Sequence, residues 1–315
     1  MKDKPLVSVI IPTFNRANFI AHTISSALKQ SYLNIEVIVV DDASTDLTAD
    51  IVQNIDDPRV NYVRLKQNGG PSIARNHGVN SAQGQFVAFL DSDDEWDPSK
   101  IELQLAAIRQ QADPNNVVCY TQATVVRNDS TYLLPARGIL KGESVGDYVL
   151  RGNSGLIQTS SIMLSHELAL AYPFPTDQRI FEDWDVFLRL DESGVQWVYL
   201  EKPLINWHND SRDDRLTSSQ HDGTEWLEEH KHYLSEKARL SFTMKGIVYP
   251  LMRSRQKKLY CLKLLLLAFL GNEIPMTQLL KYSIKIFTPP VLIKQFKTLL
   301  LAGPSTKESE PDGNR

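Results

Sequence analysis

The chain of 315 residues carries 34 Lys+Arg against 38 Asp+Glu, a formal net charge of −4, with 42% hydrophobic and 23% charged residues. This is the composition of an ordinary globular protein with ample core, not of a disordered or disulfide-stapled one. Cys119 and Cys261 are its only cysteines, far apart and in no C-x-x-C, so neither a disulfide framework nor a zinc site is indicated and a reducing, cytoplasmic setting is expected.

The opening MKDKPLVSVIIPTF has a basic start, but its apolar run breaks at Pro12 without a small-residue cleavage site. It therefore reads as a first strand over 7–11 and not as a signal peptide. Thr13, Phe14, Asn15 and Arg16 form the loop after it. Phe19, Ile20, Ile24, Ala27 and Leu28 recur at helical spacing. A buried strand over 35–40 runs straight into Asp41 and Asp42. Ser44 is placed to cap a helix whose face is Leu47, Ile51, Val52 and Ile55. A third strand covers 60–65, Asn68-Gly69-Gly70 makes a turn, and Pro71 opens a helix to about Ala82. Phe86 to Leu90 is a continuous apolar run, followed without a spacer by Asp91, Asp93, Asp94 and Glu95. Such β-α-β-α-β-α-β order predicts a parallel sheet with helices on both faces.

In a parallel sheet, strand ends that follow the same direction share one edge. Thr13 and Asn15, Asp41 and Asp42, and the Asp91–Asp94 cluster would then converge on one crevice outside the carboxyl ends. Carboxylates packed this tightly repel one another unless a cation sits among them. Without thiols nearby they suit Mg²⁺ or Mn²⁺, hard ions that also hold phosphate oxygens. Neither a G-x-x-x-x-G-K-[ST] nor a G-x-G-x-x-G occurs, so there is no P-loop or dinucleotide fingerprint.

PTFNR at 12–16, VVDDASTD at 39–46, NGGPSIARNHG at 68–78 and GQFVAFLDSDDEW at 84–96 together resemble the donor-binding half of a glycosyltransferase family 2 enzyme. The resemblance covers residues 5 to about 215. It implies a GT-A fold, that is, a Rossmann-like, mixed but mostly parallel sheet flanked by helices, and an inverting transfer from a nucleotide-diphosphate sugar, with a UDP-sugar as the expected donor. It places Pro12, Thr13, Asn15, Arg16, Asp41, Asp42, Asn68, Gly70, Arg75, Asn76, Asp91, Ser92 and Asp93 on the nucleotide sugar, and Asp93 and Asp94 on Mn²⁺ or Mg²⁺. The split it suggests is a donor half over 1–112 and an acceptor and catalytic half over 113–215.

Downstream, a helix with Ile101, Leu105 and Ile108 closes the first half, and a strand follows over 117–126. Residues 127–180 are irregular, with scattered glycines and polar residues that suit loops around a second substrate. Phe181-Glu182-Asp183-Trp184-Asp185 opens a helix. Acidic residues at a helix start are favoured by the dipole alone. The resemblance adds a role, with Asp183 as general base beside Glu182; Asp185 reads as an ordinary helix-start residue. Trp207-His208-Asn209-Asp210-Ser211 is similar to a family motif in which the His completes the metal site, although Asn206 stands where that motif often has Arg. Trp226 and residues 227–240 read as one further helix.

The charge is unevenly spread. Up to Lys245 there are 23 Lys+Arg and 34 Asp+Glu, and from Gly246 there are 11 and 4. The acidic body argues against nucleic-acid binding. Residues 216–304, basic from Gly246 onward, read as a helical extension with apolar stretches at 259–270 and 279–301. The first is too short and too interrupted to span a bilayer, which takes about 20 apolar residues. Its Lys-laced composition fits either interfacial helices on the cytoplasmic face of a membrane or helices packed on the enzyme or a second subunit. Residues 305–315 read as a disordered tail. The expected activity is transfer of a hexosyl or N-acetylhexosaminyl group to a glycan or lipid-linked acceptor. The alternatives are a non-catalytic partner protein and a nucleotidyltransferase that makes nucleotide sugars; the latter needs a glycine-rich loop that PTFNR does not supply.

Overall fold

The computed structural model describes residues 4–127, 130–150, 155–178, 180–209, 223–243, 247, 258–270 and 276–287. The tail at 305–315, the apolar stretch after Pro289-Pro290, and Asp210 and Ser211 lie outside the described residues.

Strands β1 (Val7–Thr13), β2 (Ile35–Asp41), β3 (Val60–Arg64) and β4 (Phe86–Phe89) pair in parallel in the order β3-β2-β1-β4. Their crossovers are α1 (Ile20–Leu28), α2 (Thr48–Gln53) and α3 (Pro71–Ser81). Every residue of β1 and β4 is buried, which is why these strands read as unbroken apolar runs and not as alternating ones. Helix α3 lies very close on β1: a Cβ on Gly78 would meet Ile10 Cγ2 at 2.4 Å. Only glycine permits that approach.

Beyond β4 the sheet becomes mixed. Strand β8 (Met163–Ser165) pairs antiparallel with β4 and with β6 (Val117–Arg127). Strand β9 (Gln196–His208) runs parallel to β6, and the short β5 (Glu95–Trp96) closes the path antiparallel to β9. A hairpin strand, β7 (Ser130–Leu134), pairs with β6 within the stretch expected to be irregular. One core runs through the whole sheet, from Val37 and Val39 through Val9, Ile11, Ala88 and Leu90 to Met163, Val117 and Cys119, with Ile101, Leu105 and Ile108 of α4 (Lys100–Ile108) against it. Burial on this scale supplies the main stabilising term, at about 25 cal/mol per Å² of apolar surface.

Three helices follow in the second half: α5 (Val145–Leu150), α6 (His166–Ala171) and α7 (Glu182–Glu192). The single helix expected over 227–240 is instead two, α8 (Thr224–His230) and α9 (Glu236–Phe242), separated by a 3-10 turn at Lys231–Tyr233. Two compact units result. Residues Trp226–Ser241 belong with the sheet, and the second unit holds α10 (Lys258–Leu270) and α11 (Met276–Phe287), packed on each other. Among the described residues no helix is long and apolar enough to cross a membrane.

Candidate active site

The register places Thr13 opposite Asp41, and Leu90 N–H donates to Ile10 O at 2.9 Å, so the ends of β1, β2 and β4 lie on one sheet edge. The β1 and β2 loops are laced together there. Asn15 N–H donates to Ser44 Oγ at 2.9 Å, and Asn15 Oδ1 accepts from Thr45 N–H at 2.8 Å. Asn15 and Ala43 both have left-handed backbones, at φ 53 and φ 62. Asn tolerates that region through local hydrogen bonding, whereas Ala pays for it. Ser44 is not a helix cap. Its N–H donates to Asp41 Oδ1 at 2.7 Å, α2 begins only at Thr48, and Leu47 is 64% exposed. Asp41 is fully buried and also accepts from the Tyr62 hydroxyl at 2.5 Å. Burial and then that carboxylate push the Tyr62 pKa up to about 12.

Asp42 takes the place that an anion would take at the start of α3. Its two oxygens accept from Gly69 N–H at 2.8 Å and Gly70 N–H at 2.7 Å, and Asn68 Nδ2 donates to its carbonyl at 3.3 Å. The exposed amides of the helix start, together with the dipole, favour negative charge at this point. Gly70 has φ 92, which a side chain would resist.

The acidic cluster after β4 has three differently held members. Asp91 accepts from Arg75 at 2.9 Å and from Gln158 Nε2 at 3.4 Å, and its N–H donates to Ser160 Oγ at 2.9 Å. Asp93 stands 4.0 Å from Arg16 Nε. Asp94 is 1% exposed and accepts from Gln158 Nε2 at 2.9 Å, Ser160 Oγ at 2.7 Å and the His208 N–H at 3.2 Å. Burial, then the charges of Asp91 and Asp93, raise the Asp94 pKa well above the carboxylate range, against those hydrogen bonds. Trp96 Nε1–H donates to Ser160 O at 2.9 Å, which fixes the segment that carries these donors.

Arg75 joins this cluster to α7. Its guanidinium is 5% exposed and donates through one NH₂ to Asp91 and through the other to Glu182 Oε1 at 3.1 Å, linking positions 107 residues apart. Burial disfavours its charge, but the two carboxylates outweigh that and hold it firmly protonated. The guanidinium carbon lies 5.0 Å from the centroid of the Phe174 ring. Asn76 fixes Phe174 by a reciprocal pair, Asn76 Nδ2 to Phe174 O at 2.7 Å and Phe174 N–H to Asn76 Oδ1 at 2.9 Å.

Asp183 is half-buried, one residue beyond Glu182, and Trp184 N–H donates to its Oδ1 at 2.9 Å. Loss of water, then the Glu182 charge, raise its pKa to about 7, while Arg75 pulls the other way. Phe181, just before the helix, has φ 63, and its ring stacks on Trp184 at 4.9 Å. A left-handed, bulky residue at this entry is the kind of local strain that clusters at functional sites. Asp185 is more than a helix-start residue. It is buried and accepts from Arg189 Nε at 2.7 Å and His230 Nε2 at 2.6 Å, and so holds α8 against α7. Despite burial, these bonds keep Asp185 below, and His230 above, its ordinary pKa.

These groups surround a cavity of about 480 Å³. Of the residues singled out from the sequence, Pro12, Thr13, Asn15, Arg16, Asp42, Asn68 and Gly70 line its β1–β2 side. Arg75, Asp91, Ser92, Asp93, Asp94 and Glu182 line the other side. Asp41, Asn76, Asp183 and His208 are not on its wall; the first two serve the loops behind it. The reading from sequence did not find Phe14, whose 40% exposed ring lines the cavity, nor Trp207, nor the Gln158 and Ser160 donors. The buried polar run Gln158–Ser161 between apolar Ile157 and Ile162 is the signal that could have marked the last two, because buried polar groups need partners.

The wall carries five carboxyl groups against two guanidiniums, so an anionic ligand needs a cation to enter. Two buried polar atoms on the wall, Thr13 Oγ1 and Arg75 Nε, have no partner among the described residues, as expected where a polar ligand completes the site. No cluster of three metal-ligating side chains exists among the described residues. Asp94, expected as a ligand, accepts from Gln158 and Ser160 on Oδ2 and from the His208 N–H on Oδ1. Asp93 and Asp94 lie on the wall, and the His208 main chain is bonded to Asp94. Two protein ligands suit a hard ion that takes its remaining oxygens from phosphate and water.

A parallel-to-mixed sheet flanked by helices, with an acidic crevice at its strand ends, is a Rossmann-like architecture of the GT-A type. Residues 8–168 match Glycosyl transferase family 2, and the chain belongs to that family. It is 32% identical over 258 residues to the amylovoran biosynthesis glycosyltransferase AmsB of Erwinia amylovora, covering 78% of this chain and 83% of AmsB. Over 100 residues, 32% of this chain and 40% of the relative, it is 45% identical to WfaP of Escherichia coli, a UDP-Glc:α-D-GlcNAc-diphosphoundecaprenol β-1,3-glucosyltransferase. The fold is shared with Staphylococcus aureus TarS 1-349 in complex with UDP-GlcNAc, at TM-score 0.62 and 19% identity over 93% of this chain and 91% of that one. It is also shared with the Pyrobaculum calidifontis mannosyltransferase PcManGT in complex with GDP-Man and Mn²⁺, at TM-score 0.56 and 19% identity over 96% and 86%. The chain is thus a glycosyltransferase of the kind that works in polysaccharide biosynthesis.

Proposed function

We propose that the chain is an inverting glycosyltransferase that moves a hexosyl or N-acetylhexosaminyl group from a UDP-sugar to a hydroxyl of a lipid-linked or growing glycan. The observation that carries this reading is the Arg75 fork, which sets the donor cluster and the start of α7 on one guanidinium. The nucleotide lies against Thr13, Phe14 and Asn68, and Phe14 offers an aromatic face to the base. Asp91 and Ser92 meet the ribose and diphosphate side. Asp93 and His208 would hold a divalent ion, which when bound offsets the charge of the diphosphate as it leaves. Asp94 fixes the loop and the end of β9.

Asp183 takes the proton from the acceptor hydroxyl while that oxygen forms its bond to the anomeric carbon. The bond from that carbon to the phosphate oxygen breaks on the opposite face, and the nucleoside diphosphate leaves with the electron pair. A carboxylate with a pKa near 7 is a stronger base than an ordinary one and is still ionised in a useful fraction at neutral pH. The WfaP relative supports UDP and a diphospholipid acceptor, and TarS supports UDP-GlcNAc. The test is product analysis with UDP-glucose and UDP-GlcNAc on a diphospholipid-linked sugar. A β-linked product from an α-configured donor agrees with the proposal; retained configuration, or no turnover of either donor, contradicts it.

A further inference from the structure

Eight of the seventeen large hydrophobic side chains exposed among the described residues lie on α10 and α11. On α10 these are Leu259 at 79%, Leu266, Leu267 and Leu270 at 75%, a row at helical spacing that also contains the exposed Lys263. On α11 they are Met276, Leu280, Ile284 at 64% and Phe287, again one stripe. The opposite faces are already used: Cys261, Leu265, Leu279 and Ile286 are buried. The helices are also tied end to end, with Lys258 Nζ 5.9 Å from the Phe287 ring centroid. The pair therefore has an inner face that is satisfied and an outer face that is apolar and open.

Soluble surfaces rarely leave such a row uncovered. Among the described residues neither helix is long and apolar enough to cross a bilayer, so on a membrane this face would lie along the surface. Its sign follows from charge: from Gly246 onward the chain holds 11 Lys+Arg and 4 Asp+Glu. A second copy of the same face would bring like charges together, whereas an anionic lipid surface complements them. We propose that the outer face of α10 and α11 docks on an anionic lipid bilayer, with its apolar row at the headgroup boundary and the exposed Lys263 at the phosphates. The inference follows from the residues of this face and does not depend on the donor chemistry.

The test is co-sedimentation of the full chain with vesicles of phosphatidylcholine, and of phosphatidylcholine mixed with phosphatidylglycerol. Binding is expected only to the mixed vesicles, weaker at high salt. Leu280→Glu with Ile284→Glu should lower binding at least about tenfold, because two charges then face the hydrocarbon boundary. Leu33→Glu, at a 74% exposed site in the sheet unit, should leave it unchanged. Thermal unfolding followed by circular dichroism serves as the fold control, so failure of the lipid proposal is distinguishable from misfolding and from failure of the transferase reading. No binding by the full chain, or binding that survives the double substitution, overturns the proposal. So does a dimer that the double substitution splits without any vesicle binding, since the face would then belong to a second copy.

Discussion

The two sides of the cavity hold their carboxylates in different ways. On the β1–β2 side, Asp41 and Asp42 are satisfied by backbone amides and a tyrosine hydroxyl, and both are buried. On the β4–α7 side, Asp91 and Glu182 share one guanidinium, and Asp183 sits beside them with a raised pKa. Carboxylates locked to amides build shape and cannot change state cheaply. Carboxylates that share one buried cation can respond to a ligand that brings its own charge. In the proposed reading the first side is a mould for the nucleotide, and the second is where charge and protons move.

The strongest test of that contrast is Asp183→Asn. It should lower transfer about a hundred- to ten-thousand-fold, as loss of a general base does. In the unaltered chain, transfer should rise with pH through about 7, because the base acts unprotonated, and the rise should be absent from the residual activity of the variant. A full rate in Asp183→Asn would move the base elsewhere. Next comes Arg75→Met, which strands two carboxylates around a buried methionine and should cost about 3–5 kcal/mol of stability by denaturant unfolding. It should also raise the pH midpoint of transfer, because Arg75 holds the Asp183 pKa down; an unmoved midpoint would show that the two halves are not electrically joined.

On the mould side the effects should be smaller. Asp42→Asn keeps one oxygen for the glycine amides but loses the charge at the start of α3, so about 1–2 kcal/mol is expected from unfolding curves. A larger loss of turnover than of stability would contradict its assignment to shape. Smallest is Ala43→Gly. The left-handed Ala costs about 1–2 kcal/mol and glycine returns about 0.5–1 kcal/mol of that as chain entropy. A net gain of about 0.5 kcal/mol is expected, and destabilisation would mean the left-handed turn is not strained.

The same contrast explains what could be read from sequence. Strands β1, β2 and β4 announce themselves because an apolar, doubly covered run must end where the charges begin. Their loops therefore fell on one edge without knowledge of any contact. The β4–α7 side depends on distant pairings. Gln158 and Ser160 reach the acidic cluster only because β8 inserts antiparallel between β4 and β6. Asp185 meets His230 across 45 residues, and the 3-10 turn that follows His230 interrupts what looks like one helix over 227–240. Local spacing carries no trace of such meetings. Ser44 failed as a cap for a related reason, since the β1 loop takes its hydroxyl first.

The division between holding the donor and taking the proton is tested most directly by calorimetric titration of UDP, with and without Mn²⁺, into the unaltered chain, Asp93→Asn and Asp183→Asn. Metal-dependent binding should persist in Asp183→Asn with nearly the same dissociation constant and be lost in Asp93→Asn. Loss of binding in both, or its survival in both, would contradict the division.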